Sequence, residues 1–160
     1  MFPLDHKGEL IRSKSTIPNV NDFRELFFRR ASNALLDASA NNVQVDENRV
    51  SFTGGLFRLV WSWNVLNQIG YGYVELHESE DSFKVTYYAS FRQMFVVISV
   101  MVFLFFGVAL FSDKGDELSV IGKLAILVFA WLWLFGGNWF VAMARFPTFV
   151  SSLLWANERI

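Results

Sequence analysis

The side chains most able to do chemistry lie close together at Glu75, His77, Glu80 and Asp81. On a β-strand Glu75 and His77 would share one face, because alternate residues do, and a carboxylate and an imidazole can bind the same metal ion. A metal site normally needs a third and a fourth protein ligand, and the rest of the chain offers only His6 and dispersed carboxylates. We therefore favour the simpler interpretation, a polar outer face of an edge hairpin, and predict no bound metal.

Other signatures of catalysis or cofactor binding are missing from the sequence. It contains no cysteine, which excludes disulfides, thiolate nucleophiles and Cys-ligated metal centres. No serine lies in a nucleophile elbow, and no glycine-rich loop precedes a helix as phosphate binding requires. The net charge is −1 at pH 7 without a basic tract, which argues against nucleic acid as a partner. We predict a protein that is not an enzyme and has no cofactor.

Two long uncharged segments dominate the C-terminal half of the chain. Residues 93–112 and 124–144 are each about as long as the roughly 20 apolar residues that a helix needs to cross a bilayer. The segment between them, 113–123, begins with a charged run that favours water. We expect a transmembrane hairpin of two helices joined by a polar turn. Neither segment contains an ionisable residue, which argues against a transporter.

The second apolar segment carries a distinctive small and polar sequence. Gly136 and Gly137 allow another backbone to approach closely, and the Asn138 amide can form a hydrogen bond across a helix interface. An unpaired amide is costly in hydrocarbon, so Asn138 should face another helix. Two alternatives remain open for that helix: the first apolar segment, near Gly107 or Ser99, or a helix of a partner protein.

Aromatic and cationic residues near the apolar segments predict membrane anchors. We interpret Trp131, Trp133 and Trp139 as lipid-facing or interfacial anchors rather than as contacts to a quinone or pigment. Arg92 and Arg145 flank the segments and are placed in the same class.

The residues before the apolar segments predict a small α+β domain. Residues 1–20 have little periodicity and are expected to form an irregular arm. A helix should begin after Asn21 or Asp22, because apolar residues then recur at spacings of three and four. Alternating patterns follow, and residues 21–91 therefore predict one helix covering about five antiparallel strands. Trp61 and Trp63 either fill the core of this domain or lie in the headgroup layer.

The two junctions of the domain with the membrane segments are both short. Only Arg92 and Gln93 follow the last strand, so the domain should sit rigidly on the membrane surface. After Arg145, the sequence Phe146-Pro147 is typical of a new helix start. We expect residues 145–160 to form a short amphipathic helix, either at the membrane interface or under the domain.

These patterns together predict an α+β membrane protein with a cytoplasmic domain, a two-helix transmembrane hairpin and a short C-terminal helix. The leading hypothesis for its function is a non-catalytic accessory or assembly subunit of a larger membrane complex, in contact with lipids and other integral membrane subunits. The alternative is a membrane-tethered binding or sensory domain for a lipid, peptide or small ligand. The absence of a signal sequence at the N-terminus predicts both termini in the cytoplasm, as in a protein of the bacterial inner membrane.

Overall fold

The computed structural model describes residues 4–54, 66, 68–108 and 119–155. Two predicted features lie outside the described residues. One is the strand containing Trp61 and Trp63, and the other is the charged run at 113–117.

The domain is built on one antiparallel sheet of five strands, which confirms the predicted sheet and the α+β class. The strands lie side by side in the order β1-β5-β4-β3-β2. Their bounds are Asp5–Ser13 (β1), Asn41–Val45 (β2), Arg49–Thr53 (β3), Tyr71–Glu78 (β4) and Ser82–Ser90 (β5).

The prediction of an irregular N-terminal arm is wrong, because β1 pairs with β5 along its whole length, from Asp5 opposite Ser90 to Ser13 opposite Ser82. Its inward positions hold a histidine, a glycine and an arginine as well as one leucine, so no apolar alternation marks the strand. A Cβ atom on Gly8 would lie 2.1 Å from the Tyr87 hydroxyl oxygen, so a larger residue does not fit there.

In the described part of the chain three long helices accompany the sheet: α1 (Val20–Asp37), α2 (Arg92–Gly107) and α3 (Val120–Trp155). The predicted apolar face of α1 is confirmed, since Phe23, Phe27, Ala31 and Leu35 are buried. The Phe23 ring lies 4.6 Å from that of Phe83 on β5, centroid to centroid, which places α1 directly against the sheet.

The prediction of a transmembrane hairpin of two helices is wrong, because among the described helices only α3 is long and apolar enough to span a membrane. From Arg92 to Gly107, α2 is about 24 Å long at 1.5 Å per residue. The hydrocarbon core of a bilayer is about 30 Å thick, so the described length of α2 is too short to cross it.

The prediction of a separate C-terminal helix is also wrong, because α3 continues through Pro147 to Trp155. A proline inside a helix costs about 3 kcal/mol or more. Burying a large apolar side chain contributes about 1.5–3 kcal/mol, and one such side chain directly precedes the proline while three follow it. These are Phe146, Val150, Leu153 and Leu154. Their burial under the domain outweighs the break that Pro147 would otherwise cause.

Phe146 shows how α3 completes the core of the domain. Its ring centroid lies 6.2 Å from that of Phe52 on β3 and 5.7 Å from that of Tyr87 on β5. The C-terminal part of α3 therefore covers the same face of the sheet as α1.

Arg12 ties β1 to the end of α3. Its buried guanidinium donates hydrogen bonds to the backbone carbonyl oxygens of Leu154 and Thr16 and lies over the rings of Phe23 and Trp155. The last carbonyls of a helix have no partner within it, and a cation is favoured at that end by the helix dipole. Arg12 thus supplies the C-terminal cap of α3 from a distant strand.

Replacing Arg12 with leucine should lower the free energy of unfolding by about 2–3 kcal/mol, because the Leu154 carbonyl, in a buried hydrogen bond, and the Thr16 carbonyl, in a partly buried one, lose their charged donor. The measurement is denaturant unfolding of the full-length chain in detergent, followed by tryptophan fluorescence. The control is Lys7→Leu, an exposed change on the same strand, which should stay within about 0.5 kcal/mol. Equal losses in the two variants would contradict the capping role.

Candidate membrane and helix-packing site

Helices α2 and α3 expose large apolar side chains over much of their length. Ile121 on α3 is 80% exposed and Trp133 is 69% exposed. Soluble monomers rarely expose apolar patches larger than a few hundred Å², and larger ones mark contact with lipid or protein. We call the following residues the outer apolar surface: Val96, Val100, Phe103, Leu104, Phe105, Val120, Ile121, Leu124, Val128, Phe129, Leu132, Trp133 and Phe140.

The inner sides of α2 and α3 pack on each other through aromatic rings. Phe95 on α2 meets the rings of Trp131 and Phe135 edge to face, at centroid distances of 5.7 and 5.4 Å. The Trp131 indole Nε1 donates a hydrogen bond of 2.9 Å to the Ser99 hydroxyl. Trp131 therefore lies within the interface between the two helices, where the sequence predicted an anchor.

The Asn138 side chain pairs with the domain and with its own helix. Its Nδ2 donates to the Leu134 carbonyl oxygen at 2.6 Å, and its Oδ1 accepts a long hydrogen bond of 3.5 Å from Gln68 Nε2. Gln68 precedes β4, so the structure brings Asn138 to this connection and not to Ser99 or Gly107. The amide helps to fix α3 against the domain.

The three glycines of the predicted packing site lie in different surroundings. A Cβ atom on Gly107 would lie 3.9 Å from Leu127, which is ordinary contact between α2 and α3. Among the described residues, a Cβ atom on Gly136 or Gly137 would meet nothing within 4 Å. The π-helical turn Leu132–Gly136 ends at this open side of α3, and such turns are frequent at functional sites.

The remaining predicted anchors divide into outward and half-buried residues. The Trp133 ring stacks on that of Phe129 at 6.3 Å, and both side chains belong to the outer apolar surface. Trp139 is partly buried against the core, and Arg145 is half-buried. The Arg92 side chain is 71% exposed at the start of α2.

Glu75 and His77 share the outer face of the sheet, as the sequence predicted, with 3.7 Å between His77 Nε2 and Glu75 Oε1. Glu75 also binds Arg49 Nη2 at 3.1 Å, and β4 is an inner strand rather than an edge. His6 faces the opposite side of the sheet, 5.7 Å from the Tyr87 ring. Within the described ranges, no group of three or more His, Cys, Asp or Glu side chains is placed to hold a metal.

The outer face of the sheet carries a tyrosine cluster that the sequence analysis did not identify: Tyr71, Tyr73 and Tyr88. The rings of Tyr73 and Tyr88 stack at 5.3 Å, and Arg49 lies 4.3 Å above Tyr73. The two stacked tyrosines are direct partners in the pairing of β4 with β5. The sequence showed the alternation within each strand, but it did not show the register that places Tyr73 opposite Tyr88.

An ion pair joins the first residue of β1 to the first residue of α2. Asp5 accepts hydrogen bonds from Arg92 Nη2 at 2.6 Å and from the Ser90 hydroxyl at 2.8 Å. The hydrogen bond from Arg92 lowers the pKa of the Asp5 carboxyl below its ordinary value, because a cationic donor favours the ionised form. The pair fixes the junction between the sheet and α2.

Comparisons with protein-family models, with curated proteins and with solved structures found no match for this chain.

The Trp131–Ser99 hydrogen bond gives a test of the packing between α2 and α3. In a double-mutant cycle of Trp131→Phe and Ser99→Ala, the coupling free energy should be about 0.6 kcal/mol and not above about 1.7 kcal/mol, as found for hydrogen bonds between membrane helices. The measurement is unfolding of the four full-length proteins in detergent. A cycle of Trp133→Phe with Ser99→Ala should show no coupling. Equal coupling in both cycles would contradict the observed contact.

Proposed function

We propose that this chain is a non-catalytic integral membrane protein, anchored by α3, that serves as an accessory or assembly subunit of a larger membrane complex. The observation that carries the proposal is the outer apolar surface of α3, together with the open backbone at Gly136 and Gly137.

The length of the part of α3 that precedes the domain core supports insertion into a bilayer. From Val120 to Val141 the helix rises about 32 Å, close to the roughly 30 Å of a hydrocarbon core. The next residue, Ala142, is buried, and Phe146 follows it into the core of the domain. In this proposal α3 is one continuous helix, with its first part in the membrane and its last part in the domain.

The charges beside the membrane segment support a cytoplasmic domain. Arg92 and Arg145 lie on the side of the sheet, and positive residues favour the cytoplasmic side of a membrane. We place the domain there, as in a protein of the bacterial inner membrane.

The open glycines support a protein partner in addition to lipid. Small residues on a membrane helix allow a second helix to approach closely, and contacts between backbones then become possible. Gly136 and Gly137 do not serve the packing of the described part of α2 on α3, because no described residue fills the space above them. Trp133 and Phe140 project from the same stretch of helix and are 69% and 68% exposed.

Insertion of α3 can be tested by placing a charge at its outer apolar surface. Phe129→Lys should move the protein out of the carbonate-resistant membrane fraction, because a lysine near the centre of a membrane helix costs about 2.5–3.5 kcal/mol. Ile11→Lys is the control, since Ile11 is 60% exposed on the sheet. If Phe129→Lys stayed in the membrane like the control, anchoring by α3 would be wrong.

Assembly can be tested by filling the open space at Gly136. Gly136→Leu should leave the chain folded, because a Cβ atom there meets no described neighbour within 4 Å. Extracted from native membranes in mild detergent, the unsubstituted protein should migrate in a large particle, and the leucine variant should leave it. Ala125→Leu, a similar enlargement at an exposed position of α3, should remain in the particle.

Migration of the unsubstituted protein alone would contradict the accessory-subunit proposal. That result would favour the alternative, a membrane-tethered binding domain. The specific observation that supports the alternative is the tyrosine cluster with Arg49 above it, since tyrosine and arginine are enriched where proteins bind partners.

A further inference from the structure

One end of the sheet forms a packed unit with the start of α2. The chain ends of four neighbouring strands meet there, because Asp5 and Tyr71 both lie opposite Ser90, and Thr53 lies opposite Tyr71. We call Asp5, Thr53, Tyr71, Ser90 and Arg92 the proximal rim.

Contacts around the proximal rim fix it on the first turn of α2. The Phe91 amide donates a hydrogen bond of 2.7 Å to the Leu4 carbonyl oxygen. A Cβ atom on Gly70 would lie 2.7 Å from Gln93 Cβ, so the connection before β4 presses against α2. The rim cannot move away from the helix without breaking these contacts.

The opposite end of the sheet is far from the rim. From Ser90 to Ser82, β5 extends about 27 Å at 3.3–3.4 Å per residue. Each headgroup layer of a bilayer is only about 5–8 Å thick, as the difference between the total and the hydrocarbon thickness shows. The domain part of α3 runs along the sheet from Phe146, whose ring lies beside that of Phe52 near the rim, to Leu154, which binds Arg12 near the distal turn. The distal turn at Glu80 therefore lies outside any layer that contains the whole rim.

The side chains of the rim suit the headgroup layer. Tyr71 is 40% exposed, and tyrosine is enriched at membrane interfaces, where its ring and hydroxyl meet different surroundings. Arg92 donates to Asp5 through Nε and Nη2. A guanidinium has five N–H donors, so three remain on a side chain that is 71% exposed. A guanidinium binds phosphate oxygens through charge-assisted hydrogen bonds.

We propose that the proximal rim lies in the lipid headgroup layer, where the Arg92 guanidinium and the Tyr71 hydroxyl donate hydrogen bonds to phospholipid phosphates. The inference rests on the proposed anchoring of the chain by α3. It adds a second, polar contact with the membrane and holds the strands so that they point away from the bilayer. The tyrosine cluster then begins at the headgroups, and the distal turn lies in water.

The absence of cysteine makes the test direct, because single cysteines can be labelled in the full-length chain. Thr53→Cys reports on the rim and leaves Tyr71 and Arg92 in place, Glu80→Cys reports on the distal turn, and Phe129→Cys reports on α3. Each protein, labelled with an environment-sensitive fluorophore, is reconstituted in phosphatidylcholine vesicles. The vesicles carry a nitroxide quencher either on the headgroup or on the acyl chain.

We expect headgroup nitroxide to quench position 53 severalfold more strongly than position 80, and acyl-chain nitroxide to quench position 129. Quenching at 129 with equal quenching at 53 and 80 would overturn the rim proposal and leave anchoring by α3 intact. A label at 53 that is shielded from water but not quenched by lipid would also overturn it, since a protein would then cover the rim. Absence of quenching at 129 would instead contradict the proposed function.

The phosphate contact has its own readout. With ¹³C-labelled arginine, solid-state NMR should show dephasing of a guanidinium carbon by lipid ³¹P, and Arg92→Gln should remove that contribution. Arg24→Gln, a change on α1 away from the rim, should keep it. Dephasing that is unchanged in Arg92→Gln would overturn the assignment of Arg92 to a lipid phosphate.

Discussion

The structure depends on one constraint: a single helix must satisfy two different surroundings. The first part of α3 exposes large apolar side chains, whereas its last part buries Phe146, Val150 and Leu154 under a sheet. Burial at the second part holds the helix continuous through Pro147, and this continuity fixes the direction in which the apolar part leaves the domain. The position of α2 follows, because it packs along α3 through Phe95 and Ser99.

Elements whose patterns repeat locally could be predicted from the sequence. The apolar spacing of α1 and the alternation in β4 and β5 are strong, since each side chain signals the face on which it lies. Strand β1 could not be found in this way. Its inward side chains include Gly8, which makes room for Tyr87, and Arg12, which caps a helix more than a hundred residues away. Both residues are explained only by partners that are distant in sequence.

The predicted site and the observed site share residues but differ in the partners of those residues. The residue types were informative, since Asn138 and Trp131 both form hydrogen bonds and Gly107 lies between helices. Their partners were not predictable, because length and composition cannot show which surface a helix turns toward its neighbour. The transmembrane hairpin failed for a related reason: an uncharged segment was equated with a helix of the same length, whereas the described α2 ends at Gly107.

The bond from Arg12 to the Leu154 carbonyl joins residues 142 positions apart, and it has a consequence for biosynthesis. A ribosome delivers β1 first and the covering part of α3 last, so the inner face of the sheet stays open while α2 and the first part of α3 are being made. During that interval the side chains of Phe52 and Tyr87 are exposed to water on the inner face of the sheet. Transient exposure of apolar surface is the condition under which nascent chains need chaperones. Completion of the domain thus waits for residue 154, and the anchor is made before the domain that it carries can close.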